Sequence, residues 1–551
     1  MTEKYTIGLD FGTLSGRALL VRISDGAELA TRTMEYPHGV MDRCLAASGE
    51  PLPPDFALQD PRDYLDVLDY ILPGVISDAG VDKENIIGIG VDFTTCTILP
   101  IRADGTPLCF EEKYRREPHA YAKLWKHHAA QPYADRINET AEKMGEEWLA
   151  AYGGKISSEW YFPKVFEVLD RAPQVYADAD FFVEAGDFIN MYLCGELKKS
   201  YTYAASKAMY DMEKGYPSRE FFAALDPRFA DVVKEKTDAP MVYTCGKVGN
   251  VRKEIAERYG LSEKTVVAPA QPDAHVAPSA LNMHTAGDMC AIMGTSSCYM
   301  LIDDKRRNVK GICGVLRDSL TPGFWGYESG LCCFGDAFAW AADNIAPASY
   351  RDEADALGIS VLQLLIRKCA EKAPGETGLV ALDWLNGNRN VLIDSDLSAM
   401  IIGMDLRTRP EDIMRALIEA TAFATRVITE TIESSGVSIR RIIAAGGIAR
   451  KDAFTMQLFS DVLKKDIIIA ESRQIPALAS AVYAAASAGE DLLDCMERMS
   501  HLSDTVYHPN EAASEVYDEL YKEYLSLYDY FGRGQNDVMK RLRRIKENSG
   551  K

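Results

Sequence analysis

At 551 residues, with 47% hydrophobic and 26% charged side chains, the chain exceeds what one core supports and has the make-up of two ordinary globular domains. A formal net charge of -21 leaves no basic face for sequence-independent nucleic-acid binding, and the Lys/Arg cluster at 540–546 falls on an expected terminal helix. No apolar run approaches membrane-spanning length and the Met-Thr-Glu-Lys start has no signal-peptide hydrophobic region, so a cytoplasmic protein without nucleic-acid or membrane partners is expected.

The first predicted elements are two apolar strands, 5–9 and 18–23, joined through a loop punctuated by Gly12 and Gly16, which reads as a β-hairpin. Gly12 lets the backbone turn tightly against a ligand, Thr13 and Ser15 offer hydroxyls, and Asp10 places a carboxylate where a magnesium ion would be held. The competing reading is a plain hairpin turn with an exposed Asp. Residues 28–36 read as a third strand, and 38–60, carrying Pro51, Pro53 and Pro54, as a loop. From 61 to 76, Tyr64, Leu65, Val67, Leu68, Ile71 and Leu72 have helical spacing that Pro73 is expected to interrupt. The strand 86–91 then ends at Asp92-Phe-Thr-Thr-Cys96, a polar cluster at the place where open α/β sheets bind ligands; an Asp capping the next turn is the alternative.

Trp125, inside Tyr121-Ala-Lys-Leu-Trp-Lys-His-His128, offers either an indole face for a sugar or one more core side chain. Residues 141–235 alternate helical and aromatic stretches and read as a helical insertion closing one side of a pocket; within them Lys207 sits among small apolar residues, solvated or aimed at a substrate oxygen. The stretch 265–275 is a strand ending at Asp273, which is either a general base or an Asx-turn residue after Pro272, with His275 behind it. A second strand, Gly294-Thr295 loop and strand unit follows at 288–302, and Glu328 supplies one carboxylate to the Gly-punctuated stretch 325–330. Residues 382–389 read as a turn entering an exposed segment. The stretch 410–433 is a long helix, with Pro410 suited to its first turn and Glu411 and Asp412 at the positive end of the dipole. The strand 441–447 ends in Gly446-Gly447, able to admit an adenine ring against bare backbone or simply to turn the chain into the helix 451–463; 513–547 closes the chain as one or two charged amphipathic helices. The twelve cysteines are scattered without a C-x-x-C pair, and the adjacent Cys332 and Cys333 have no histidine cluster, so reduced thiols are expected.

Strand, Gly-Thr loop and strand therefore occur twice, each time followed by an amphipathic stretch and a second Gly-rich strand. The repeat predicts two similar α/β domains whose two Gly-Thr loops clamp a polyphosphate from opposite sides of an interdomain cleft.

Asp10-Phe-Gly-Thr13, Gly88-Ile-Gly-Val-Asp92, Pro272-Asp-Ala-His275, Gly294-Thr295 and Gly446-Gly-Ile-Ala-Arg450 together resemble the FGGY carbohydrate kinases of the sugar kinase/Hsp70/actin superfamily. Within that family 124–130, 310–314, 382–387 and 446–451 are similar to members acting on ribulose. The resemblance covers nearly the whole chain. It implies two ribonuclease-H-like, actin-like ATPase domains: a sugar-binding domain at 1–272, an ATP-binding domain at 273–505 and a helical appendage at 506–551. It implies ATP and Mg2+, with Asp273 as base, Asp10 in the metal shell, and Gly12, Thr13, Gly294, Thr295, Gly446, Gly447 and Lys451 around the nucleotide. Cys96, Trp125, Lys207, Asp273 and Glu328 are implied as sugar contacts. The implied reaction is phosphorylation of a ketopentose at its terminal hydroxyl, L-ribulose in L-arabinose catabolism, with D-ribulose, xylulose or a non-catalytic ATP switch as alternatives; a homodimer is left open. The chain departs from the pattern at Ala270-Gln-Pro272, at Leu331-Cys332 and at Ala479, positions that bear on substrate more than on chemistry.

Overall fold

The computed structural model describes residues 3–549. Two compact units divide the chain: one runs to His284 and takes back Leu316–Gly326 and Gln474–His501, and the other holds Thr285–Val315, Tyr327–Arg473 and the chain from Leu502 onward.

The first unit is built on a seven-stranded sheet. Tyr5–Phe11 pairs antiparallel with Ser15–Arg22, which pairs with Glu28–Glu35, confirming the expected hairpin and third strand. On its other edge Tyr5–Phe11 runs parallel to Ile86–Phe93, with Asp10 opposite Asp92. Ile86–Phe93 carries Val266–Val267 and then Gln271–Pro272 on its far edge. The second unit repeats the scheme: Asp288–Met293 pairs antiparallel with Ser297–Asp303 and parallel with Arg441–Ala445, and Ile467–Ala470 adds on in parallel. An antiparallel hairpin whose first strand also takes a parallel partner thus occurs in both halves, as the sequence repeat requires.

Several expectations change. The helix Pro61–Ala79 runs through Pro73 instead of stopping there. Its ends are well satisfied, by an Asp60 side chain accepting from the Arg62 N–H and by Gly80 in the left-handed region at φ 61, and Tyr64, Val67, Leu68, Ile71, Leu72 and Val75 are buried on both sides of the proline. One lost backbone bond costs less than that packing contributes.

The unit boundary is not at 272/273. Asp273 belongs to the first unit, and so does Gln474–His501, expected from the sequence in the ATP-binding half. The reason lies in three glycines of the first sheet: a Cβ on Gly8 would stand 1.7 Å from the Ala477 carbonyl oxygen, on Gly90 2.0 Å from that of Ser480, and on Gly88 2.6 Å from that of Ala484. The helix Ile475–Ser487 therefore rests backbone to backbone on the sheet through positions where no side chain intervenes.

Residues 141–235 are not one insertion. Phe162, Phe166, Phe221, Phe222 and Phe229 share a core with Met41, Leu58 and Tyr121 from outside that range, whereas Phe188, Ile189 and Leu193 of the helix Ala185–Cys194 join the core of the main sheet. Finally, 382–389 does not enter an exposed segment: Asp383 and Trp384 are buried, and the indole packs edge-on to Tyr528 of the helix Glu511–Gly532 at 5.4 Å between centroids. Tyr517, Tyr521, Tyr524 and Tyr528 bury one stripe of that helix, which a reading of its charges alone does not disclose.

The long helix forms as Pro410–Ser434. The expected helix at 451–463 is two, Gly447–Lys451 and Ala453–Leu463, because Asp452 turns its side chain to cap the second by accepting from the Thr455 N–H at 3.0 Å. All twelve cysteines are free thiols. Among the described residues no helix is long and apolar enough to cross a membrane.

Candidate active site

In the first unit the chemistry gathers at the C-terminal ends of two adjacent parallel strands. Asp10 is buried there with the Arg17 Nε 3.4 Å from its carboxylate; burial raises its pKa and Arg17 opposes the rise. Asp92, directly opposite in register, is fully buried and accepts from the Ser480 hydroxyl at 2.6 Å through Oδ2, while Oδ1 has no hydrogen-bond partner. Burial, then the charge of Asp10, pushes the Asp92 pKa well up, and Asp273 adds to the same effect. Asp273 arrives because Gln271–Pro272 pairs with Asp92 and Phe93, after which its own N–H donates to the Phe93 carbonyl at 3.0 Å. Its carboxylate accepts from the Ala274 N–H at 2.8 Å and the residue is half-buried. The side chain bonds the backbone of the next residue, not two residues on as an Asx-turn would, and its charge acts on Asp92 together with that of Asp10.

The Gly12-Thr13 loop is tied from three directions. Gly12 N–H donates to the Ser15 carbonyl at 2.9 Å, the Tyr36 hydroxyl donates to the Gly12 carbonyl at 3.0 Å, and the Gln59 amide donates to the Thr13 carbonyl at 2.8 Å. Trp125 is half-buried, and its indole N–H donates to the Thr13 hydroxyl at 3.1 Å, so the ring is oriented by the loop instead of sinking into the core. Lys207 is 9% exposed, not solvated, and its ammonium lies 5.3 Å from the Trp160 ring centroid. Cys96 is buried in the left-handed region at φ 62, with burial raising its thiol pKa well above the ordinary value.

In the second unit Gly294 and Thr295 form an exposed turn between Asp288–Met293 and Ser297–Asp303. Gly294 N–H donates to the Ser296 carbonyl at 3.0 Å, and the carbonyls of Gly294 and Thr295 accept from the Gly335, Phe334 and Asp336 N–H groups at 2.9 to 3.1 Å. Gly446 adjoins this turn: it has φ 105, and a Cβ there would meet the Met293 carbonyl oxygen at 2.3 Å. The exposed Gly447 opens the helix Gly447–Lys451, and a Cβ on it would meet nothing within 4 Å. A flat ring has room against that backbone. Lys451 is exposed at the end of the same helix. Glu328, half-buried, lies on Trp325–Leu331, where its carbonyl accepts from the Cys313 N–H at 2.8 Å.

The first unit thus gathers Asp10, Gly12, Thr13, Trp125 and Asp273 around one sheet end, with Cys96 and Lys207 in the same unit, and the second gathers Gly294, Thr295, Gly446 and Gly447. In the sequence Asp92 stands in a polar cluster that does not by itself mark it as a site residue. The signal that would have found it is its place at the end of the strand parallel to the one that ends in Asp10.

The donor set fits a magnesium ion. Buried carboxylate oxygens, one of them on Asp92 without a partner, are hard ligands at the mouth of a Gly-Thr loop. Among the described residues no group of three or more His, Cys, Asp or Glu makes an all-protein cage, and magnesium held by one or two carboxylates plus phosphates needs none.

Models for the FGGY family of carbohydrate kinases match the chain twice, the N-terminal domain at residues 5–278 and the C-terminal domain at residues 289–488. A ribulokinase from Bacillus licheniformis is 47% identical over 539 residues, covering 97% of this chain and 98% of its own. One from Halalkalibacterium halodurans is 45% identical over 552 residues, covering 99% and 98%. Among solved structures, xylulose kinase from Rhodospirillum rubrum matches with a TM-score of 0.79 at 22% identity, over 95% of this chain and 98% of its own. Plasmodium falciparum glycerol kinase with ADP matches with a TM-score of 0.74 at 16% identity, over the same shares. Both structures speak to the fold, that of sugar kinases with two actin-like ATPase domains.

Proposed function

Since the chain belongs to the FGGY family of carbohydrate kinases, we propose that it transfers the γ-phosphoryl group of ATP to the terminal hydroxyl of L-ribulose, forming L-ribulose 5-phosphate and ADP. The observation that carries the acceptor is the full-length identity to ribulokinases, 47% and 45% over at least 97% of the chain.

Phosphoryl transfer asks the protein for position and charge compensation more than for covalent chemistry. Asp273 takes the proton of the attacking hydroxyl, which its half-buried carboxylate can reach while the Ala274 N–H fixes its orientation. The oxygen then attacks the γ-phosphorus and ADP leaves. Asp10, with Asp92 beside it, would hold Mg2+, which supplies charge neutralisation at the phosphates when bound. Thr13 in the first unit and Thr295 in the second offer hydroxyls to phosphate oxygens, the Gly12 and Gly294 N–H groups being spent within their own turns; Gly446 and Gly447 leave bare backbone for the adenine, and Lys451 stands at the end of that helix. Trp125 gives the sugar a flat wall, with Lys207 and Cys96 of the same unit as polar contacts.

ADP release measured on L-ribulose, D-ribulose, L-xylulose, L-arabinose and D-ribose tests the assignment. The highest kcat/KM is expected on L-ribulose, with ketopentoses ahead of the matching aldoses by about 5- to 150-fold, the worth of one buried donor left unpaired. Equal kcat/KM on L-arabinose and L-ribulose sinks the ketose assignment; D-ribulose or xylulose ahead of L-ribulose replaces the named acceptor.

A further inference from the structure

One buried cation in the first unit has no part in the chemistry above. Lys164 sits on the helix Tyr161–Arg171, and it is fully buried. Its ammonium donates to the main-chain carbonyl of Cys96 and, at 2.8 Å, to that of Leu124. These carbonyls belong to segments far apart in sequence: the turn that follows the strand ending at Phe93, and the residue just before Trp125. An ammonium taken out of water persists only where the fold supplies strong acceptors, and here the two acceptors are backbone oxygens of the two stretches assigned to the sugar.

A second observation concerns the Cys96 turn itself. Cys96 adopts φ 62, a region that costs a residue with a Cβ and survives only where the surroundings over-determine it. The means of holding it are visible. Lys164 grips its carbonyl, the Thr94 and Thr97 hydroxyls bond at 2.8 Å across the turn, and Thr97 offers its carbonyl to the Ala185 N–H at 2.8 Å. Glu184, the last residue of the strand Phe181–Glu184, completes the setting: it is 5% exposed with neither carboxylate oxygen hydrogen-bonded. Burial raises its pKa well above the ordinary value, and Lys164 and the Cys96 N–H are among the groups that oppose the rise. The Cys96 carbonyl is thus held by a cation, with a buried carboxyl group in the same setting.

We propose that Lys164 is a positioning residue for the acceptor sugar, locking the Cys96 turn and the segment that carries Trp125 into one rigid wall. It rests on the reading of Cys96 and Trp125 as sugar contacts. The hydrogen bonds of Lys164 go to the Cys96 and Leu124 carbonyls, and neither belongs to a phosphate loop or to the Asp10, Asp92 and Asp273 group. Its loss therefore loosens sugar binding while leaving nucleotide binding and the chemical step in place.

The experiment is steady-state kinetics of wild type, Lys164→Met, Lys164→Gln and Lys164→Arg, with L-ribulose and ATP varied separately and thermal midpoints measured alongside. Wild-type turnover of L-ribulose is read first: its absence ends the acceptor assignment, and the variants are then compared on the best acceptor of the panel. Lys164→Met, which keeps the length and removes every donor, is expected to raise the sugar KM at least tenfold, with kcat and the ATP KM within about threefold of wild type. Lys164→Arg is expected to recover part of the loss, since it restores a charged donor. An unchanged sugar KM in folded Lys164→Met overturns the proposal, as does a parallel change in both KM values and kcat that Lys164→Arg does not relieve. If Lys164→Met does not fold, Lys164→Gln is judged by the same criteria.

Discussion

At the residue scale the decisive arrangement is three carboxyl groups at the ends of neighbouring strands with unequal surroundings. Asp92 is shut away against the Ser480 hydroxyl, Asp10 is buried with Arg17 beside it, and Asp273 alone is half-exposed. The exposed member is the one able to meet a substrate hydroxyl. Asp273→Asn keeps the Ala274 bond through its amide oxygen, so folding and nucleotide affinity are expected to survive while kcat falls about 10²- to 10⁴-fold, the usual worth of a general base. Turnover near wild type would remove Asp273 from the mechanism. Trp125 makes a different prediction, because its indole N–H is bonded to Thr13 instead of to solvent. Trp125→Ala is expected to raise KM for every good sugar acceptor by roughly tenfold, about what a lost stacking wall contributes, and a KM unchanged on all acceptors would return the indole to a purely structural role.

At the scale of elements, the first sheet is shaped by what it must carry. Gly8, Gly88 and Gly90 sit in strands, where glycine costs stability, and each faces a backbone carbonyl of the helix Ile475–Ser487. Those costs are offset by bringing a helix of small residues, with Ala477, Ala481 and Ala484 buried, flush against the sheet and its Ser480 hydroxyl onto Asp92. Gly88→Ala, where the new methyl would need to displace a carbonyl at 2.6 Å, should destabilise by about 1 to 3 kcal/mol in denaturant unfolding, as overpacking does. Gly8→Ala, at 1.7 Å, should cost more. Wild-type midpoints for both would show that the helix is not seated on these glycines.

For the whole molecule, stability carries a pH signature set by buried carboxyls in the second unit. Asp383 is buried beside the Tyr524 hydroxyl, and burial holds its pKa at about 7. The folded chain keeps that proton where the unfolded chain, with an ordinary Asp near 4, has lost it. Between those values the native state binds more protons, so this group's contribution falls as pH rises from about 4 to about 7 and is level above. Asp383→Asn removes the dependence. The loss of unfolding free energy between pH 5 and pH 7.5 is expected to be smaller in the variant by up to roughly 3 kcal/mol, about two pH units at about 1.4 kcal/mol each. Parallel curves for the two proteins would mean Asp383 is ionised in the fold.

The sequence by itself determined the duplicated scheme and its chemistry. A strand that ends in Asp10 and turns at Gly12, or ends at Met293 and turns at Gly294, is a local demand of backbone geometry, and local demands are written in consecutive residues. The Gly446-Gly447 turn and the lone Asp273 at a strand end were legible for the same reason. Tertiary structure alone decided what depends on partners distant in the chain. It returned the helix Ile475–Ser487 to the first unit because three glycines more than 380 residues earlier leave room for its backbone. It carried the helix Pro61–Ala79 through Pro73, buried Trp384 under Tyr528, and set Asp92 beside Asp10 through parallel pairing. It also turned Lys164, which no motif singles out, toward two carbonyls that meet only in the folded chain. Burial and long-range pairing are properties of the assembled core, and no window of sequence contains both sides of such a contact.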